Sequence, residues 1–132
     1  MKAKVSWQQG LSFLGETDSG RTLVMDGNAE AISPMESVLL AVGSCSSIDV
    51  VDILQKSRLT IEDCYCELTA ERADSPPKVF TKIHAHYVVK GHNITDKHMA
   101  RAVQLSAEKY CSVMLMLSGN VAISTSYAIE SE

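Results

Sequence analysis

Residues 33–54 read SPMESVLLAVGSCSSIDVVDIL. Their opening is a well-formed helix start. Ser33 suits the N-cap, Pro34 suits the first helical position, where a missing N–H is harmless, and Glu36 completes an S-x-x-E capping box. From Val38 to Leu54 apolar residues crowd nearly all round, as in a helix buried on most of its faces. The pattern predicts a long central helix. At its middle, however, stand Gly43, Ser44, Cys45, Ser46 and Ser47, an unusual concentration of small and polar groups for core.

The flanking sequence surrounds this helix with strands. Residues 2–27, KAKVSWQQGLSFLGETDSGRTLVMDG, read as a meander of two or three short strands. Its turns fall at Gln9-Gly10, Asp18-Ser19-Gly20 and Asp26-Gly27. Residues 60–91 alternate as a hairpin, with the turn at Asp74-Ser75-Pro76-Pro77. One apolar face is Cys64-Cys66-Leu68-Ala70 and the other Val79-Ile83-Tyr87-Val89. A second helix is expected over residues 95–118, with Thr95 as N-cap and Gly119 just past its end. A last strand follows from Asn120. The order of elements predicts one α+β domain over residues 1–132.

Composition narrows the function. The chain has 132 residues, 45% hydrophobic and 21% charged, the mix of a soluble globular protein. A net charge of -4 and the lack of any Lys/Arg run argue against a nucleic-acid partner. The N-terminus does not read as a secretory signal, and Ser, Asp or Gly interrupts each apolar run before the ~20 residues a bilayer needs. A cytoplasmic protein without a membrane partner is expected. In that reducing compartment a disulfide among Cys45, Cys64, Cys66 and Cys111 would be catalytic or redox-sensing sooner than structural. Zinc-finger spacing, C-x-x-C, P-loop, dinucleotide fingerprint, G-x-S-x-G and H-E-x-x-H motifs do not occur.

Cys45 and Cys111 each fall inside a predicted helix among small or polar neighbours. A single such cysteine usually packs as a small hydrophobe. Two of them on two long helices of one small domain could meet, giving a reactive thiol and a resolving partner. Cys45 lies about three turns from the Ser33 cap at ~1.5 Å per residue, too far for that helix end to favour its thiolate. A cation must then substitute, and Arg21, in the turn Ser19-Gly20-Arg21-Thr22, is the candidate among eight lysines and four arginines. A metal site of Cys64, Cys66, His84 and His86 is disfavoured by parity, which turns the cysteines inward and the histidines toward Asp63, Tyr65 and Glu67. His92 and His98 are expected on the surface.

Taken together, residues 33–54, RADSPPKVFTKIHAHYVVKG at 72–91 and AVQLSAEKYCSVMLML at 102–117 resemble the OsmC/Ohr family of thiol peroxidases, in its OsmC-like branch. The paired motifs are S-P-x-E…G-x-C on one helix and K-Y-C-S on the other. The resemblance implies an intertwined α+β homodimer with curved antiparallel sheets around two central helices. It also implies reduction of organic hydroperoxides, Cys45 attacking and Cys111 resolving. Small and hydroxylated neighbours of Cys45 would leave room for the peroxide and supply hydrogen bonds. Recycling would take an external dithiol reductant, with no metal, flavin or nucleotide. The family's peroxidase branches open this helix with Asn-Pro-Glu, whose glutamate holds the activating arginine. Here Met35 occupies that position, and Glu36 reads chiefly as the capping carboxylate. Two other functions fit the same residues: a small-molecule-binding protein without turnover, and a thiol redox sensor that signals to a partner.

Overall fold

The computed structural model describes residues 1–130, which form two compact units, Met1–Leu40 and a second beginning at Ala41. In the first unit β1 (Ala3–Gln9), β2 (Ser12–Thr17) and β3 (Thr22–Asp26) pair antiparallel in that order. Gly10 (φ 54°) and Gly20 (φ 85°) take the left-handed backbone their turns require. The chain then reaches the helix start predicted from the sequence. Ser33 N–H donates to Glu36 Oε1 at 2.9 Å, and Glu36 N–H donates to Ser33 Oγ at 3.1 Å, closing the capping box. The boundary between the units falls inside the helix that follows, α1 (Pro34–Lys56). Contrary to the expectation from its interruptions, α1 is long and apolar enough to cross a membrane by length and composition.

In the second unit β4 (Thr60–Arg72) and β5 (Phe80–His92) form the expected hairpin, and β6 (Ala122–Glu130) completes a sheet of order β4-β5-β6. The register opposes Cys64 to Val89, Cys66 to Tyr87, Leu68 to Ala85 and Ala70 to Ile83. Cysteines and core side chains therefore share one face, while His86 sits across from Glu67 and His84 across from Thr69 on the other. Val79, assigned to the apolar face from sequence, lies outside the strand and is exposed. The sheet also departs from the all-antiparallel expectation: β6 runs parallel to β5. A helical crossover separates these two strands, and such a connection returns the chain in the same direction.

That crossover is not one helix. After α2 (Asp96–Leu105), residues Ser106–Tyr110 form a π-helical turn, Cys111 is extended (φ -75°, ψ 102°), and α3 (Ser112–Leu117) begins anew. Cys111 thus lies at a break, not in mid-helix as its apolar spacing predicts. Thr95 caps α2 as expected, and His98 completes that cap: its Nδ1 accepts Thr95 N–H at 3.1 Å.

The core of this unit gathers Val42, Val50 and Leu54 of α1, Ile83, Ala85, Tyr87 and Val89 of β5, Met99 and Val103 of α2, and Met114 of α3. Gly43 explains one oddity of the central motif. A Cβ there would stand 2.6 Å from Leu68 Cδ1, so the missing side chain lets β4 pack close to α1. Gly91 is tighter, because a Cβ would run into the Thr60 carbonyl and the Ile94 side chain at the irregular end of the β4–β5 ladder. Backbone cannot yield as a side-chain tip can. Gly91→Ala is expected to lower unfolding free energy by about 2 kcal/mol or more, the scale of overpacking, as read by urea denaturation.

A candidate thiol redox site

The site is built where the middle of α1 meets the break before α3. Cys45 is half-buried, and its Sγ lies 3.8 Å from Ser112 Oγ. The backbone N–H of Val113 also donates to Cys45, and this bond is the main cause holding its pKa below the ordinary thiol value of 9.0. Hydrogen bonds from Cys111 and Ser112 act in the same direction. Burial and the Asp49 carboxylate, one turn along α1, oppose them. A cation was expected to stabilise this thiolate. Within the second unit the stabilising groups are instead uncharged donors at the start of α3.

Cys111 is fully buried, and its environment does the reverse. Burial first, then its bond to Cys45 and the Cys45 charge, push its pKa up to about 11. Its Sγ accepts the Met114 N–H at 3.4 Å, so the sulfur itself caps α3. The two thiols therefore share one hydrogen bond with opposite preferences: Cys45 as thiolate, Cys111 as donor.

The serines around Cys45 do not serve it as anticipated. Ser46 Oγ donates to the Val42 carbonyl at 2.7 Å and accepts the Tyr87 hydroxyl at 2.6 Å, both in the core. Ser47 bonds Cys66, and Ser44 is exposed. The hydroxyl that reaches Cys45 comes from Ser112, 67 residues away. Ser112, the Val113 N–H, Asp49 and Ser106 were missed by the sequence reading. Only the K-Y-C-S motif hinted at any of them.

The other predicted residues behave as follows. Glu36 is engaged in the Ser33 cap, and the cap's hydrogen bonds hold its carboxyl below the ordinary carboxylate range. Arg21 is exposed in the first unit, where its carbonyl accepts the Thr17 N–H at 2.9 Å. Cys64 and Cys66 are half-buried, and burial raises both pKa values, the environment of unreactive thiols. Among the described residues no group of three or more His, Cys, Asp or Glu could hold a metal ion.

Comparison with known proteins places the sequence and the fold. The family model for OsmC-like protein matches residues 27–126. Protein YhfA of Escherichia coli is 53% identical over 131 residues, 98% of each chain. A hypothetical protein from Aquifex aeolicus, 31% identical, superposes with a TM-score of 0.91 over 99% of this chain and 96% of that one. An organic hydroperoxide resistance protein OsmC from Legionella pneumophila shares the fold at a TM-score of 0.72 and 18% identity, covering 96% and 95% of the two chains.

Because thiolate is the form that alkylates, the pKa directions order the four cysteines. Iodoacetamide labelling across pH, mapped by mass spectrometry, should show Cys45 reacting first, with a midpoint below 9.0. Cys111, fully buried and with its pKa pushed up to about 11 while Cys45 carries its charge, should label after Cys45. Earlier labelling of Cys111 would contradict the assignment.

Proposed function

Given that the chain belongs to the OsmC-like family, we propose that it is a thiol-dependent organic hydroperoxide reductase in which Cys45 attacks and Cys111 resolves. The observation that carries this reading is the opposed protonation preference of two thiols joined by one hydrogen bond. An attacking thiol must be thiolate, and a resolving thiol must hold its proton until it is needed.

Cys45 thiolate attacks the distal oxygen of ROOH. The O–O bond breaks, ROH leaves after taking a proton, and Cys45 becomes a sulfenic acid. With the thiolate charge gone, one cause of the high Cys111 pKa goes with it, so the resolving thiol ionises more easily after the first step than before. Cys111 sulfur then displaces hydroxide from the sulfenic acid, which leaves as water, and the disulfide forms. An external dithiol restores both thiols by exchange and is itself oxidised to a disulfide. Ser112 Oγ, beside Cys45, is suited to donate to the departing oxygen.

We assign this chemistry to a cytoplasmic homodimer. Support for a second copy comes from exposed apolar side chains near the thiols, namely Ile48 of α1 and Leu115 and Met116 of α3, the last 72% exposed. Arg21 remains the activating cation that the family resemblance implies, to be tested directly.

Stoichiometric organic hydroperoxide should yield a Cys45–Cys111 disulfide, seen by peptide mapping. Cys45→Ser should abolish the reaction. Cys111→Ser should leave a Cys45 sulfenic acid that dimedone traps, and Arg21→Gln should slow the first step; an unchanged rate would remove the arginine from the site. A protein whose thiols ignore peroxide would instead be an apolar-ligand binder. Light scattering should give twice the chain mass, and a stable monomer at micromolar concentration would remove the dimer.

A further inference from the structure

The π-helical turn Ser106–Tyr110 raises a question that the reaction leaves open: what holds it there? A π turn interrupts an otherwise regular helix and needs outside contacts to persist. Ser106, 1% exposed, supplies them. Its carbonyl accepts the Cys111 N–H at 2.8 Å, the hydrogen bond that closes the turn. Its side chain reaches the other way, to α1, where Oγ lies 3.2 Å from the Ser46 carbonyl and 3.0 Å from Asp49 Oδ2. Ser46 follows Cys45 directly, and Asp49 lies one turn beyond it.

We propose that Ser106 is the positioning residue of the thiol pair, its backbone fixing Cys111 and its hydroxyl fixing α1 beside Cys45. This role rests on the redox reading of the pair. One residue thereby sets the separation of two sulfurs carried on different elements. The hydroxyl has one proton and two acceptors within reach, a carbonyl and a carboxylate, and the carboxylate makes the stronger bond. Asp49 is thus an anchor for Ser106 as well as a charge that restrains ionisation of Cys45. Ser106 itself touches neither sulfur in this bonding scheme. It acts through the chain on both.

The test is the effective concentration of the disulfide, measured at one neutral pH in glutathione buffers. There one oxidised glutathione takes two electrons and two protons from Cys45 and Cys111 and becomes two reduced glutathiones. Ser106→Ala should lower the effective concentration about tenfold, the scale of one lost hydrogen bond to a charged group. Asp49→Ala should lower it further than Asp49→Asn. Both remove the charge, so the difference between them reads the hydrogen bond alone. Val89→Ala, a core truncation in β5, provides the stability control: it should lower the melting temperature and leave the effective concentration within twofold. In the reduced protein, Ser106→Ala should also speed hydrogen exchange of the Cys111 amide more than Val89→Ala does. Equal effects of Ser106→Ala and Val89→Ala on both readouts would overturn the positioning role alone. A wild-type protein that forms no disulfide in any buffer would overturn the redox reading, and this role with it, even if the exchange result held.

Discussion

A serine hydroxyl buried at the centre of an apolar helix must be satisfied within the fold, since leaving a buried polar group unpaired costs about 1–3 kcal/mol. Ser46 meets that demand in a way that organises its surroundings. It donates to its own helix at Val42 and accepts the hydroxyl of Tyr87, a core side chain of β5. This bond fixes the rotation of α1 against the sheet. Its neighbour Cys45 is then turned toward the start of α3, and its carbonyl toward Ser106. A purely apolar contact in that place would tolerate rotation, and the thiol would have no defined partner.

Chemically identical side chains acquire different characters from this arrangement. Cys45 meets donors: one backbone N–H, one hydroxyl and one thiol. Cys111 also accepts backbone N–H bonds, from Met114 and Val113, but its full burial and the neighbouring Cys45 charge outweigh them. Cys66 has burial, which outweighs one serine and the His86 backbone. Burial decides which thiol keeps its proton, and the chain break before α3 exposes donors that an uninterrupted helix would have satisfied internally.

Much of this was legible in the sequence. The S-x-x-E box fixed the start of α1, and strict alternation in β4 and β5 separated the cysteine face from the histidine face. Cys45 and Cys111 were expected to meet, and their side chains lie beside each other. What stayed hidden has common causes. Residues 102–117 are apolar enough to read as one helix, and α3 after the break is only six residues, too short for its changed phase to show, so Cys111 reads as mid-helix. Hydroxyls near Cys45 in sequence project to other sides of α1, so nearness along the chain misled, and the working donor came from Ser112. The direction of β6 carries no local signal, since a strand's own residues do not record whether its neighbour runs with it or against it.

The cap of α3 has an evolutionary corollary. Sulfur is a weak hydrogen-bond acceptor, and Ser, Asp or Asn at an N-cap serves a helix better, typically by about 1 kcal/mol over residues that cap poorly. At Cys111 the fold has a thiol where folding stability alone would favour an oxygen. Serine matches the thiol in size and can accept the same N–H, so drift selected only for a stable core should admit serine there at little structural cost. The cysteine's persistence or loss among descendants of this chain would report selection on sulfur chemistry itself, separated from selection on the fold.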